Sequence, residues 1–309
     1  MARGRARERI FGILVFACAL TACARQSWPA PPAVDAATYQ KQYAEWHDEQ
    51  QHIGDILAIV GIWPLPEGET PFGSDKTLPI VLPASVAPDR AGVFQRSGDV
   101  VTIVPAPRSS VRLSDGTAVT APTKYADGMM VGSVLLAMAA LPDGRHFVTG
   151  IDQAHPAMKQ PPGVEAFAPD QRWRVAARFD AFDTPRPVKV GDVRGGTVDF
   201  TAAGQLVFRR ADREWRLTAF DSGQNEPFFV MFKDRTNGTT TYGGYRILTP
   251  NRVKNGAFTV LDFNLAMNPP CAYSPYTTCP LPPPENTLDI AVEAGLKRLP
   301  NVQGYTRSE

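Results

Sequence analysis

The chain is poor in the residues that usually announce a mechanism. It has four cysteines and four histidines in 309 residues. So few thiols exclude a small disulfide scaffold, and the histidines form no recognisable metal motif. Charge of one sign is also missing. Lys plus Arg number 32 against 31 Asp plus Glu, for a formal net charge of +1. That balance excludes a strongly basic nucleic-acid binder and an acidic disordered tail. No run of 18 apolar residues follows Leu20, so a membrane-spanning helix is not expected. Gly-x-Ser-x-Gly is absent, which removes support for a nucleophile elbow. Gly243-Gly244 lacks the Lys-Ser/Thr of a phosphate loop. No repeat of fixed period appears, which disfavours a propeller or a solenoid. These absences predict no cofactor, no bound metal and no nucleic-acid partner.

Proline is abundant instead. The 29 prolines make up about 9% of the chain, against roughly 5% on average, and 25 glycines accompany them. Such a turn-rich chain is not a helical bundle or a coiled coil. Its length suits one large all-β unit or two smaller subdomains.

The first 22 residues read as an export signal. Arg3, Arg5, Arg7 and Arg9 precede a short apolar run from Ile10 to Leu20. The run ends in Leu20-Thr21-Ala22-Cys23, which resembles a bacterial lipobox. That resemblance implies cleavage before Cys23 and lipidation of its thiol, with two or three acyl chains giving durable anchoring. An ordinary secretory signal cut after Ala22 is the alternative. Ala24, in place of the aspartate that retains enteric lipoproteins at the inner membrane, points to the periplasmic face of the outer membrane. Removing the signal turns the net charge slightly negative and weakens any case for binding anionic lipid. Residues 23–34 then form the lipidated cysteine and a Pro-rich tether, which would span about 30 Å from Ala24 if extended.

The body is expected over residues 35–300, as a single β-rich domain or two halves meeting near 154–163, with 301–309 as a tail. Asp35 can cap an amphipathic helix from Ala36 to about His52, with Tyr39, Tyr43 and Trp46 near helical spacing. His47 and His52 are five apart and do not align as a metal pair. Beyond Ile53 short β-branched or aromatic runs alternate with turns. Ala58 to Leu65 reads as a strand. Asp115-Gly116 and Asp143-Gly144 mark hairpins, and Arg172 to Phe182 alternates. Some fifteen short strands joined by tight turns predict a mainly β, antiparallel barrel-like or sandwich-like body with one N-terminal helix.

Polar residues concentrate near the C-terminus. In Leu261-Asp262-Phe263-Asn264-Leu265, strand alternation would put Asp262 and Asn264 on one face and the apolar three on the other. Asn268 precedes Pro269-Pro270 and Cys271. Asp234, Tyr242 and Arg246 could arrive from adjoining strands, giving one polar ligand cleft. The competing reading is a buried polar network that pins a Pro-rich loop. Cys271 and Cys279, eight apart, are candidates for a disulfide in an oxidising compartment. A zinc pair would be closer together. A catalytic thiol would need a base, such as His146 or His155, both read as surface residues.

These stretches, with Thr241-Tyr242-Gly243, Asn268-Pro269-Pro270-Cys271-Ala272 and Cys279-Pro280-Leu281-Pro282-Pro283, resemble bacterial domain-of-unknown-function family 1684 (DUF1684). The resemblance runs from about Tyr39 to Gly295. It includes Trp63, Gly68 and Phe72-Gly73-Ser74, and the stretch from Phe167 through Trp173 to Phe179. Leu296 stands where the family usually has a glutamate, and Gly150 where it often has an arginine. The resemblance implies a fold and a site but no reaction. Three functions therefore compete. The first is a lipid-anchored envelope protein that binds a small polar ligand or an envelope partner. The second is a hydrolase-like enzyme using Asp234, Asp262 or Cys271. The third is a purely structural envelope protein.

Overall fold

The structure, a computed structural model, describes residues 28–299 except 142–143, 192–196, 211 and 224. The expected signal, Cys23, Asp143 of one hairpin turn and the tail 301–309 lie outside the described residues. No helix among the described residues is long and apolar enough to cross a membrane.

The chain is mainly β, in antiparallel sheets. Helix α1 (Ala36–Glu49) starts where expected, with the Asp35 carboxylate accepting a bond from the Thr38 amide at 2.9 Å. That bond holds the Asp35 carboxyl below its ordinary pKa. The helix ends before His52, and Ile53 leads instead into the one-turn α2 (Gly54–Leu57).

Ten strands follow: β1 (Ile59–Pro64), β2 (Gly68–Gly73), β3 (Ile80–Val81), β4 (Gly92–Ser97), β5 (Val100–Pro105), β6 (Val111–Arg112), β7 (Thr123–Lys124), β8 (Met130–Val131), β9 (Val134–Ala140) and β10 (His146–Asp152). They form two five-stranded sheets, in the orders β1-β10-β9-β8-β6 and β3-β2-β4-β5-β7. The pair β2–β3 is parallel. Their core includes Phe72, Phe94, Ile103, Leu136 and Val148. The expected hairpin around residue 143 is present, with β9 and β10 in register from His146 opposite Ala140 to Asp152 opposite Val134. At Asp115-Gly116 the hairpin shrinks to one bridge between Arg112 and Ala118.

The short helix α3 (Pro156–Lys159) interrupts the strands at 154–163, with His155 as its cap. A second set follows: β11 (Arg174–Gly191), β12 (Thr197–Arg210), β13 (Arg213–Phe220), β14 (Val230–Phe232), β15 (Arg246–Leu248) and β16 (Phe258–Asp262). The order β13-β12-β11-β16 makes a four-stranded sheet, and β14 pairs with β15. Strand β11 runs nine residues past Phe182, through Pro185 and Pro187. Proline is tolerated there because β16 flanks β11 only from Arg174 to Arg178, and the register with β12 shifts between Ala181 and Arg186.

The core of this half gathers Trp173, Phe179, Phe208, Trp215, Phe228, Phe232 and Phe263. A separate cluster containing Ile53, Val164, Tyr273 and Leu296, with Trp46 packed against it, joins the underside of α1 to the C-terminal segment.

The described part of the Pro-rich segment lies against the body at Trp28. Trp28 does not stand clear of the body. Its indole donates to the Ala176 carbonyl at 2.9 Å and meets the Phe258 ring edge-on at 5.2 Å. The guanidinium groups of Arg178 and Arg209 lie 5.4 and 5.1 Å from its ring. A tryptophan offered a sheet face and two cations gains more there than in water.

Edge strand β13 is closed by a side chain. The Asn286 carboxamide accepts from the Thr218 amide at 2.7 Å and donates to the Thr218 carbonyl at 3.0 Å and the Met231 carbonyl at 2.8 Å. Asn286 is fully buried. Asn286→Ala would leave these backbone groups unpaired, each costing about 1–3 kcal/mol. We expect a stability loss of about 3 kcal/mol by urea denaturation. A loss within experimental error would show that water reaches the edge and replaces the amide.

Candidate functional site

The residues expected in one cleft divide into two groups. Asp234, Arg246, Tyr242, Asn268 and Cys271 belong to the first, which is sealed. Arg246 opens β15 and is paired with Asp234 at 2.7 Å, and neither side chain has any solvent exposure. The guanidinium also donates to the carbonyls of Ala294 and Val292. The other Asp234 oxygen accepts from the Thr236 amide and hydroxyl and the Val292 amide, at 2.8, 2.6 and 3.1 Å. Burial pushes the Arg246 pKa down against the pull of Asp234.

Gly295 fits this region because its φ of +75° suits glycine and a β-carbon would meet the Ala266 carbonyl oxygen at 2.6 Å. Tyr242 donates to the Cys271 carbonyl at 3.2 Å, and the Asn268 amide donates to the Lys297 carbonyl at 2.9 Å. The Cys271 and Cys279 sulfurs face each other, with Cα atoms 6.0 Å apart, a spacing that suits a disulfide. Both cysteines are buried. This group pins the Pro-rich C-terminal loops. It forms no open cleft, because Asp234, Arg246 and Cys271 cannot reach solvent.

Asp262 and Asn264 form the second group. They do share a site, but strand alternation is not the reason. Strand β16 ends at Asp262, and Phe263–Leu265 make a 3-10 turn capped by the Asp262 carboxylate. Phe263 drops into the core beside Trp173, Phe208 and Phe232. Leu265 turns up on the same cavity wall as Asp262. The fully buried Asn264 side chain accepts from the Asp170 amide at 2.9 Å and donates to the Asp170 carbonyl at 3.0 Å. It also donates to Asp262 at 2.9 Å and to the Tyr39 hydroxyl at 3.1 Å.

Tyr39 comes from α1 and donates its hydroxyl to Asp262 at 2.8 Å. Burial, then the Asp262 charge, raises the Tyr39 pKa well above its ordinary value of 10. Arg174 stands directly across the strand pair from Asp262, with Nε 3.8 Å from the carboxylate, and donates to the Pro32 carbonyl of the docked N-terminal segment.

These groups border a cavity of about 310 Å³ between α1, β11, β16 and the loop after β15. Gln42, Tyr43, Thr249 and Asn251 complete its polar lining. Tyr43 is held by a 2.7 Å bond to the Phe167 carbonyl. Of the candidate ligand-binding residues read from the sequence, only Asp262 lines the cavity. Tyr39, Arg174 and Asn251 were missed, because nothing local marks the strand register and helix docking that bring them together. His146, expected at the surface, is buried in β10 with Nδ1 2.8 Å from Arg96. Among the described residues no group of three or more His, Cys, Asp or Glu could hold a metal ion.

Residues 160–297 match the model of the family described as "Protein of unknown function (DUF1684)". The DUF1684 segment takes in β11 to β16, both polar groups and the floor of the cavity, while α1 and the ten-stranded half lie outside it. An uncharacterized protein of Haloarcula marismortui, whose structure was solved by NMR in solution, is 32% identical. The match covers 51% of this chain and 81% of that one, with a TM-score of 0.39. No curated protein matches the chain.

Two outcomes follow from this geometry. Removing one member of the buried pair in the DUF1684 segment leaves an uncompensated charge, at a cost of ~3–5 kcal/mol. Arg246→Met should therefore unfold at clearly lower urea, and the double variant Asp234→Leu/Arg246→Met should recover part of the loss. The phenols of Tyr39, Tyr245 and Tyr273 are all raised by burial, that of Tyr273 to about 12. Above pH 10 the folded state then holds more protons than the unfolded state, so stability falls as pH rises. Tyr39→Phe should flatten part of that slope when denaturation is followed on either side of pH 10. An unchanged slope would mean that Tyr39 titrates normally.

Proposed function

We propose that the protein is a lipid-anchored component of the cell envelope, held through Cys23 at the periplasmic face of the outer membrane, that binds a small polar ligand. The cavity between α1 and the β11–β16 edge carries this reading. Its volume lies at the lower end of the range for small-molecule sites. The side chains of Gln42, Thr249 and Asn251 line it and make no hydrogen bond to the described residues. Tyr39 and Asp262 are fixed behind them by Asn264. A preformed wall with unspent polar groups in front of it suits binding. The Cys271–Cys279 pair, read as oxidised in the periplasm, keeps the loop that follows Asn268 in place.

Two measurements test the proposal. Wild-type protein expressed with its own N-terminus should fractionate with outer membranes, and Cys23→Ala should move it to the soluble fraction. Equal partitioning of the two would refute the anchor. In a thermal-shift screen of small polar metabolites and cell-wall fragments, a ligand at about 100 times its Kd adds about 2.7 kcal/mol of stability. A clear upward shift is therefore expected for at least one class, and a silent screen would refute the ligand.

A further inference from the structure

We infer that the cavity takes an oxyanion, a carboxylate or a phosphate, on the guanidinium of Arg174. The inference rests on the ligand-binding reading and deepens it. A comparison of the two charged groups in the cavity carries it.

Asp262 is already satisfied. One oxygen accepts from the Asn264 amide at 3.1 Å and its side-chain nitrogen at 2.9 Å. The other accepts from the Tyr39 hydroxyl at 2.8 Å. A carboxylate with three donors in place has little left for a cationic ligand.

Arg174 is in the opposite condition. Of its five N–H groups, one is directed to the Pro32 carbonyl. The Asp262 oxygen at 3.8 Å from Nε is beyond hydrogen-bond reach. Nη2 has no acceptor among the described residues. The side chain is 14% exposed, and its unpaired N–H groups keep some contact with solvent, so a ligand in the cavity can replace that water.

The cavity thus presents a cation with spare donors beside an anion whose acceptors are already supplied. Asp262 and the Pro32 carbonyl hold the guanidinium in place through Nε and Nη1, which leaves Nη2 for a carboxylate or phosphate oxygen, the acceptors that arginine favours. The amides of Gln42 and Asn251 and the hydroxyl of Thr249 would serve the neutral polar remainder of the ligand.

Calorimetric titration of the full-length protein in detergent tests this with two anions and their neutral counterparts: succinate against succinamide, and glycerol 3-phosphate against glycerol. At least one anion should bind at millimolar concentration or better and at least tenfold more tightly than its counterpart, and the preferred pair identifies carboxylate or phosphate as the source. Arg174→Gln should lose tenfold or more, and Arg174→Lys, which keeps the charge without the fork, should regain part. Because Arg174 also holds Pro32, Trp28→Ala serves as the control. It loosens the same segment without touching the guanidinium and should leave affinity within about twofold.

Equal binding of anion and neutral counterpart, an Arg174→Gln protein that is folded and binds normally, or no binding of either anion would overturn the oxyanion inference. If neutral compounds still shift the melting temperature in the screen, the ligand-binding reading survives that failure. If the screen is silent as well, both fall.

Discussion

The C-terminal half depends on one buried charge pair. Asp234 and Arg246 have no contact with solvent, and between them they reach the Thr236 turn, the start of β15 and the carbonyls of Val292 and Ala294. Charges buried this deeply stabilise a fold only when their remaining hydrogen-bonding capacity is met by well-placed partners. The sequence around them meets that demand except at Arg246 Nε, which is buried without a partner. Thr236 and Thr241 bond to each other at 2.8 Å inside the turn, and Gly295 allows the chain to pass close to Ala266. Segments with little regular structure are thereby fixed as firmly as strands, and they support the floor on which the 3-10 turn of Phe263–Leu265 rests.

Two asparagines do the work of missing strands. Asn286 pairs with both backbone groups of Thr218, and Asn264 with both backbone groups of Asp170. A carboxamide has the donor and acceptor spacing of a peptide group, so it can complete a ladder where no chain runs. At Asp170 the same carboxamide also orients Asp262 and Tyr39. Structural repair and the arrangement of the cavity wall therefore share one residue.

Much of the fold was legible in the sequence. Period-two alternation and turn residues marked the strands, and Asp35 marked the start of α1. The eight-residue spacing of Cys271 and Cys279 pointed to a pair that the fold does bring face to face. The site was legible only in part. Asp262 stood out, but Asp234 and Arg246 looked equally functional, because a polar residue in a β-rich stretch reads the same whether it faces a cavity or is sealed behind one. Helical spacing marked Tyr39 only as part of the apolar face of α1, and nothing local marked Arg174. They meet Asp262 through the register of β11 on β16 and the seating of a helix more than 200 residues earlier in the chain. The extension of β11 past Phe182 was hidden by Pro185 and Pro187, which read as a stop until the one-sided pairing of that stretch is known.

The docked Trp28 changes how a mechanical load would enter the protein. Tension on the N-terminal end does not pass straight into α1. It first meets an indole gripped by Ala176, Phe258, Arg178 and Arg209, then the Pro32 carbonyl held by Arg174. Only after that clasp yields does the pull reach Asp35 and the helix that carries Tyr39. The indole takes the first load, like a knot tied in a cord before it enters a socket, and Arg174, which also lines the cavity, takes the next.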